Sequence, residues 1–77
     1  MKEVLEYIAR NLVDDPDAVS VTEVHGEDGR AHLQLRVAPD DMGKVIGRGG
    51  RTARAIRGVI RAASTGSGAP PVVDIVE

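Results

Sequence analysis

Seventy-seven residues leave room for one domain, residues 1–77, and little for an enclosed active site. The absence of cysteine excludes a disulfide framework and a thiolate metal site. A net charge of −2 conceals a divided molecule: residues 43–61 carry six basic side chains and no acid, while the remainder holds four basic residues and twelve acidic ones.

The chain opens with a helix expected over residues 2–13. Val4, Leu5, Ile8, Ala9 and Leu12 fall on one stripe, with Lys2, Glu3, Glu6, Arg10 and Asn11 outside it. This start is charged and amphipathic rather than a signal peptide, and no apolar run has the length to span a bilayer. A soluble, cytoplasmic protein is expected. Asp14-Asp15-Pro16-Asp17 ends the helix, because proline disfavours helical geometry in the residue before it. The aspartates lack the spacing and glutamate of a calcium loop, so they read as a solvated turn.

Residues 19–25 are rich in β-branched side chains, and residues 30–37 alternate cleanly. Ala31, Leu33, Leu35 and Val37 point one way, His32, Gln34 and Arg36 the other. Gly26-Glu27-Asp28-Gly29 between them makes a turn and an antiparallel hairpin. A symmetric turn at Glu27-Asp28 pairs His25 with Arg30 and leaves His32 opposite Glu23. The two histidines then read as surface strand residues rather than a metal pair.

Pro39-Asp40-Asp41 opens a second helix, with proline near the first turn and acids at its positive end. Gly43 inside this short helix costs about 1 kcal/mol relative to alanine, which suggests close approach by a neighbouring helix or by a ligand. Met42, Val45 and Ile46 supply its apolar positions. Gly47-Arg48-Gly49-Gly50 follows as a loop, and a third helix runs from about Gly50 to Ser64. Ile56, Val59, Ile60 and Ala63 form its apolar face, with Thr52 and Ala53 nearby. Arg51, Arg54, Arg57 and Arg61 lie within about 120° of one another on the opposite face. Ala55, Gly58 and Ala62 make a stripe of small residues, suited either to packing on the first helix or to a subunit interface. Thr65 to Pro71 stops the helix, with Gly66 as its cap, and residues 72–76 form a last strand.

A glycine corner between helices is a device for holding phosphate. Without a Cβ, the main chain can be approached closely, and the next helix presents its unpaired N–H groups and positive dipole end there. Arg48 and Arg51 add fork-shaped donors. A Walker A loop fails, since Arg48 stands five residues after Gly43 and Thr52 five after Gly47. A dinucleotide fingerprint fails too, because Thr52 occupies its third glycine position. No nucleophile–base pair or metal cluster is visible, and no cofactor is called for, so an enzyme is not expected.

Val45-Ile46-Gly47-Arg48-Gly49-Gly50-Arg51-Thr52-Ala53-Arg54-Ala55-Ile56 resembles the signature of the KH-domain family, V-I-G-x-x-G followed by an isoleucine. Length and element order resemble the KhpA family of small bacterial proteins with a single KH domain. The resemblance implies an α+β, type II KH fold: helix, strand, strand, helix, helix, strand, with three helices covering one face of a three-stranded sheet. It implies single-stranded RNA as ligand, clamped over about four nucleotides. Lys44, Val45, Ile46, Gly47, Arg48, Gly49, Gly50, Arg51 and Arg54 are the expected contacts, with bases in a shallow groove beside Val45, Ile46 and the hairpin. The family is regarded as RNA chaperones that self-associate or pair with a larger KhpB-like KH-domain protein, and it is linked to cell-length and peptidoglycan control. Ala55, Gly58 and Ala62 are the candidate interface. An assembly subunit that mainly recruits a partner is the alternative. Gly49 departs from the family pattern, which has a polar or charged residue there.

Overall fold

A computed structural model describes residues 1–64 and 68–77. Helix α1 (Lys2–Leu12) leads through a 3-10 turn at Pro16–Ala18 into strand β1 (Ser20–His25), which pairs antiparallel with β2 (Ala31–Arg36). A second 3-10 turn, Pro39–Asp41, precedes α2 (Met42–Ile46). After the glycine loop, α3 (Arg51–Ala63) returns the chain to β3 (Val72–Ile75), parallel to β2. The sheet order is β1-β2-β3. The expected α+β architecture and element order are therefore present, and the mixed sheet agrees with a KH-like domain. Gly66, expected to cap α3, lies outside the described residues.

The core forms where the three apolar patterns meet. Leu5 and Ala9 of α1, Val21 of β1, Leu33 and Leu35 of β2, Val45 of α2, Ile56 and Ile60 of α3 and Val73 of β3 are all buried. Each large aliphatic side chain so enclosed contributes about 2 kcal/mol relative to exposure. In α1 only one edge of the expected stripe is enclosed, since Val4 and Leu12 remain exposed. In α3 the seam runs through Ala53, Ile56 and Ile60. The expectation that Val59 and Ala63 belong to it is corrected. Both are exposed, Val59 by 50%, because they lie at the border of the face that meets the sheet.

The hairpin register differs by one from the symmetric expectation. His25 pairs with Ala31 and Val24 with His32. The Gly26 N–H donates to the Arg30 carbonyl oxygen at 2.9 Å, closing a three-residue loop in which Gly29 takes φ 77°. That left-handed glycine adds the extra residue of a bulged hairpin loop. His32 consequently lies between two carboxylates, 3.4 Å from Asp28 and 3.6 Å from Asp74.

A buried carboxylate fixes the base of α2. Asp41 is 3% exposed, and its oxygens accept the Asp14 and Asp15 N–H groups at 3.3 and 3.0 Å. The turn after α1 is thereby tied to the start of α2. Asp41 is more than the dipole partner expected from sequence, and its hydrogen bonds give it a structural task.

Candidate nucleic-acid interface

The corner between α2 and α3 depends on three glycines with positive φ. The Gly47 N–H donates to the Gly43 carbonyl oxygen at 2.9 Å, ending α2, and Gly47 itself turns to φ 75°, ψ 170°. Gly49 (φ 65°, ψ 18°) and Gly50 (φ 77°, ψ 14°) are left-handed, and the Gly50 N–H closes back on the Gly47 carbonyl oxygen at 3.1 Å. Side chains with a Cβ adopt such conformations at a cost. Arg48 is the one loop residue outside that region, which accounts for glycine at the loop's third position.

The glycines do different jobs. A Cβ on Gly47 would stand 2.8 Å from the Thr52 Cβ and 2.8 Å from its amide nitrogen, so the first turn of α3 is packed against it. A Cβ on Gly49 or Gly50 would meet nothing within 4 Å. Those two leave main chain open to an approaching molecule. Arg48, Arg51 and Arg54 stand exposed around this bare corner, and no acidic residue lies in the first turn of α3. The helix dipole and the guanidinium groups consequently add their fields at one place.

Two expected contact residues occupy other positions. The Val45 side chain is wholly buried, so it supports the loop from beneath and cannot line a groove. Lys44 places its ammonium 3.3 Å from Asp14 and 4.0 Å from Asp41. It is engaged with the acidic turn after α1. Ile46 is 38% exposed and is available at the surface. A shallow, mostly apolar recess is lined by Val37, Pro39, Met42 and Glu77, at the ends of β2 and β3 where α2 begins. Val37, at the end of the hairpin's second strand, lines this recess, whereas the hairpin turn sits at the opposite end of β2.

Gly43 and Gly58 were expected to admit a close neighbour. Within the described chain neither does, since a Cβ on either would meet nothing within 4 Å. Ala55, Gly58 and Ala62 are exposed, together with Val59. The expectation that this stripe packs on α1 is corrected, and the face is left on the surface. Sequence periodicity had assigned Val59 to the core, although its 80° offset from Arg51 at about 100° per residue already set it beside Ala55.

Arg30 was not foreseen as part of the basic surface. Its guanidinium donates to the Pro70 carbonyl oxygen through Nε at 3.1 Å and Nη2 at 2.6 Å, which brings it to the start of β3. There Arg57 donates through Nε to the Val73 carbonyl oxygen at 3.3 Å. Proximity of residues 30 and 57 follows only from the crossover that lays β3 against β2. Among the described residues, no group of three or more His, Cys, Asp or Glu could hold a metal ion. No helix among them is long and apolar enough to cross a membrane.

Comparison with known proteins shows the family. The family model described as KhpA/KhpB, KH domain, matches residues 2–75. The chain is 55% identical over 76 residues to the RNA-binding protein KhpA of Clostridium acetobutylicum, covering 99% of this chain and 100% of that one. It is 49% identical over 77 residues to the RNA-binding protein KhpA of Halalkalibacterium halodurans, covering 100% of both. The similarity extends to the RNA-binding protein KhpA of Aquifex aeolicus, 43% identical over 77 residues, with 100% of this chain and 96% of that one covered. No solved structure matches.

Proposed function

Since the chain belongs to the KhpA/KhpB KH-domain family, we propose that it binds single-stranded RNA over the corner Gly47–Gly50 and acts as an RNA chaperone or post-transcriptional regulator. The observation that carries this reading is the open main chain at Gly49 and Gly50, ringed by exposed Arg48, Arg51 and Arg54 with no acid beside them. The sugar–phosphate backbone crosses the bare corner, and Arg48 meets the central phosphate. Arg51 and Arg54 hold its neighbours. Bases turn towards Ile46, Met42 and Val37, where aliphatic surface takes the place of stacking platforms. The chain has a single aromatic residue, Tyr7, so aromatic stacking of the kind used by other RNA-binding folds is not its mode.

A lone module of this size binds weakly, and pairing raises the effective concentration of the second site. The exposed strip Ala55, Gly58, Val59 and Ala62 on α3 supports association with a second copy or with a KhpB-like KH domain. Small residues there admit a facing helix at close range, and Val59 supplies apolar area. The same strip favours a second reading, an assembly subunit that chiefly recruits a larger protein. Either reading is compatible with the family's link to cell-length and peptidoglycan control.

Changing Arg48 and Gly49 together to Asp separates the two. Aspartate tolerates the left-handed conformation better than most residues, so the fold should persist. Two carboxylates at the corner should abolish binding of short unpaired RNA while association with a partner survives. Unchanged RNA affinity in this double variant would remove the RNA-binding reading and leave the recruiting one.

A further inference from the structure

We propose that Arg30, Arg57 and Arg61 form a second phosphate site, which receives the backbone of an RNA strand where it continues past the glycine corner. The inference rests on the RNA-binding reading above and extends it to residues outside the corner. Arg30, Arg57 and Arg61 line one recess with Pro70 and Val73, and no acidic side chain lines it. Two of the three guanidinium groups are fixed by main-chain carbonyls, Arg30 by Pro70 and Arg57 by Val73. A neutral carbonyl orients a cation without neutralising it. Arg30 uses two of its N–H groups in this way and Arg57 one, so most of the five donors on each guanidinium remain for a ligand. Three like charges around one recess repel each other, and an oxyanion among them relieves that repulsion.

Continuity identifies which anion. Arg57 and Arg61 also line an adjoining recess with Arg54 and Gly58, so the cations run unbroken from the corner along α3. From Arg51 to Arg61 the helix rises about 15 Å. One strand held at the corner can therefore reach the second site without leaving the basic surface. Fork-shaped donors suit phosphate oxygens, and a flexible strand can follow the helix where a duplex would not bend.

The test compares uridine oligonucleotides of about four nucleotides, the length a G-x-x-G loop clamps, with ones of about ten. The variant is Arg61→Gln, whose side chain is exposed and whose guanidinium holds no other group of the described chain. Losing one phosphate contact should lower affinity for the long oligonucleotide about fivefold at 100 mM salt and reduce its salt slope by about 0.7. The short oligonucleotide should bind the variant and the original protein alike. An equal loss on both lengths, or no loss on either, would overturn the second site while leaving the corner intact. Failure of the original protein to bind either length would overturn both readings at once. A loss confined to a poly-glutamate peptide would assign the recess to an acidic protein segment and also overturn the proposal.

Discussion

Gly47 and Thr52 are packed so closely that no side chain fits on Gly47: a Cβ there would lie 2.8 Å from the Cβ of Thr52. Gly47 also sits at φ 75°, ψ 170°, a region that is essentially reserved for glycine. Gly47→Ala should therefore destabilise the domain by at least about 2 kcal/mol, from backbone strain and overpacking together. Gly50→Ala should cost about 1 kcal/mol, for its left-handed φ alone, since its Cβ would stand in open space. Urea denaturation of the two variants checks the difference. Thr52→Ala should rescue Gly47→Ala only in part, because it removes the nearest obstacle, the Thr52 hydroxyl, but leaves the residue 52 Cβ and amide nitrogen at 2.8 Å.

Asp41 offers a second check on what holds the corner in place. Asp41→Ala leaves the Asp14 and Asp15 N–H groups without their acceptor, a loss of about 2–3 kcal/mol. Asp41→Asn keeps one acceptor oxygen and should cost about half as much. Hydrogen exchange should quicken at the amides of Asp14 and Asp15 in both variants. An unaltered rate there would mean that these bonds do not protect the turn.

These two cases show what was legible in the sequence and what was not. The corner could be read because its cause is local: three glycines within four residues, Val-Ile before them and arginines without acids after them. The inward set Leu33 and Leu35 could be read because strand alternation has a fixed period. Asp41 could be placed at a helix start, but its bonds to residues 14 and 15 depend on how α1 returns over the sheet. The hairpin register moved by one because Gly29 adopts positive φ, which composition permits without requiring. Lys44 looked like a phosphate ligand because its neighbours in sequence are basic. In space its neighbours are Asp14 and Asp41. Arg30 lay outside the basic window altogether and joined it only through the β3 crossover.

The Asp28 carboxyl is held below its ordinary value of 3.8, chiefly by the hydrogen bond from the Arg30 amide, against a smaller opposing effect of desolvation. His32 nearby adds a hydrogen bond and a favourable charge. A carboxyl with a lowered folded-state pKa stabilises the fold above the unfolded value, and that contribution fades as pH falls through the lowered one. The hairpin loop should therefore loosen only below about pH 3.8. The Arg30 amide resonance, followed by NMR during acidification, should report a midpoint under that value, and Asp28→Asn should abolish the step.

Val59 tests the surface strip of α3. It is half exposed, so Val59→Asp should change the stability of the isolated domain by no more than about 0.5 kcal/mol. A charge in the middle of an apolar helix–helix contact should nevertheless dissociate a self-associated form. Sedimentation velocity over a range of concentrations reads this directly. A domain that self-associates equally well with aspartate at this position uses some other face.

Salt dependence tests which cations meet RNA. With Arg48, Arg51 and Arg54 each engaging one phosphate of a short single strand, the logarithm of affinity should fall with the logarithm of salt at a slope near −2. Between 50 and 200 mM that amounts to roughly a 20-fold loss. Arg54→Ala should bring the slope to about −1.4, by removing one contact. Lys44→Ala should leave the slope nearly unchanged, because the Lys44 ammonium is engaged with Asp14 and Asp41. The Lys44–Asp14 pair is exposed and worth only about 0–1 kcal/mol, which a phosphate can outcompete. A slope that drops equally in both variants would show that it does, and would return Lys44 to the set of phosphate ligands from which its geometry removes it.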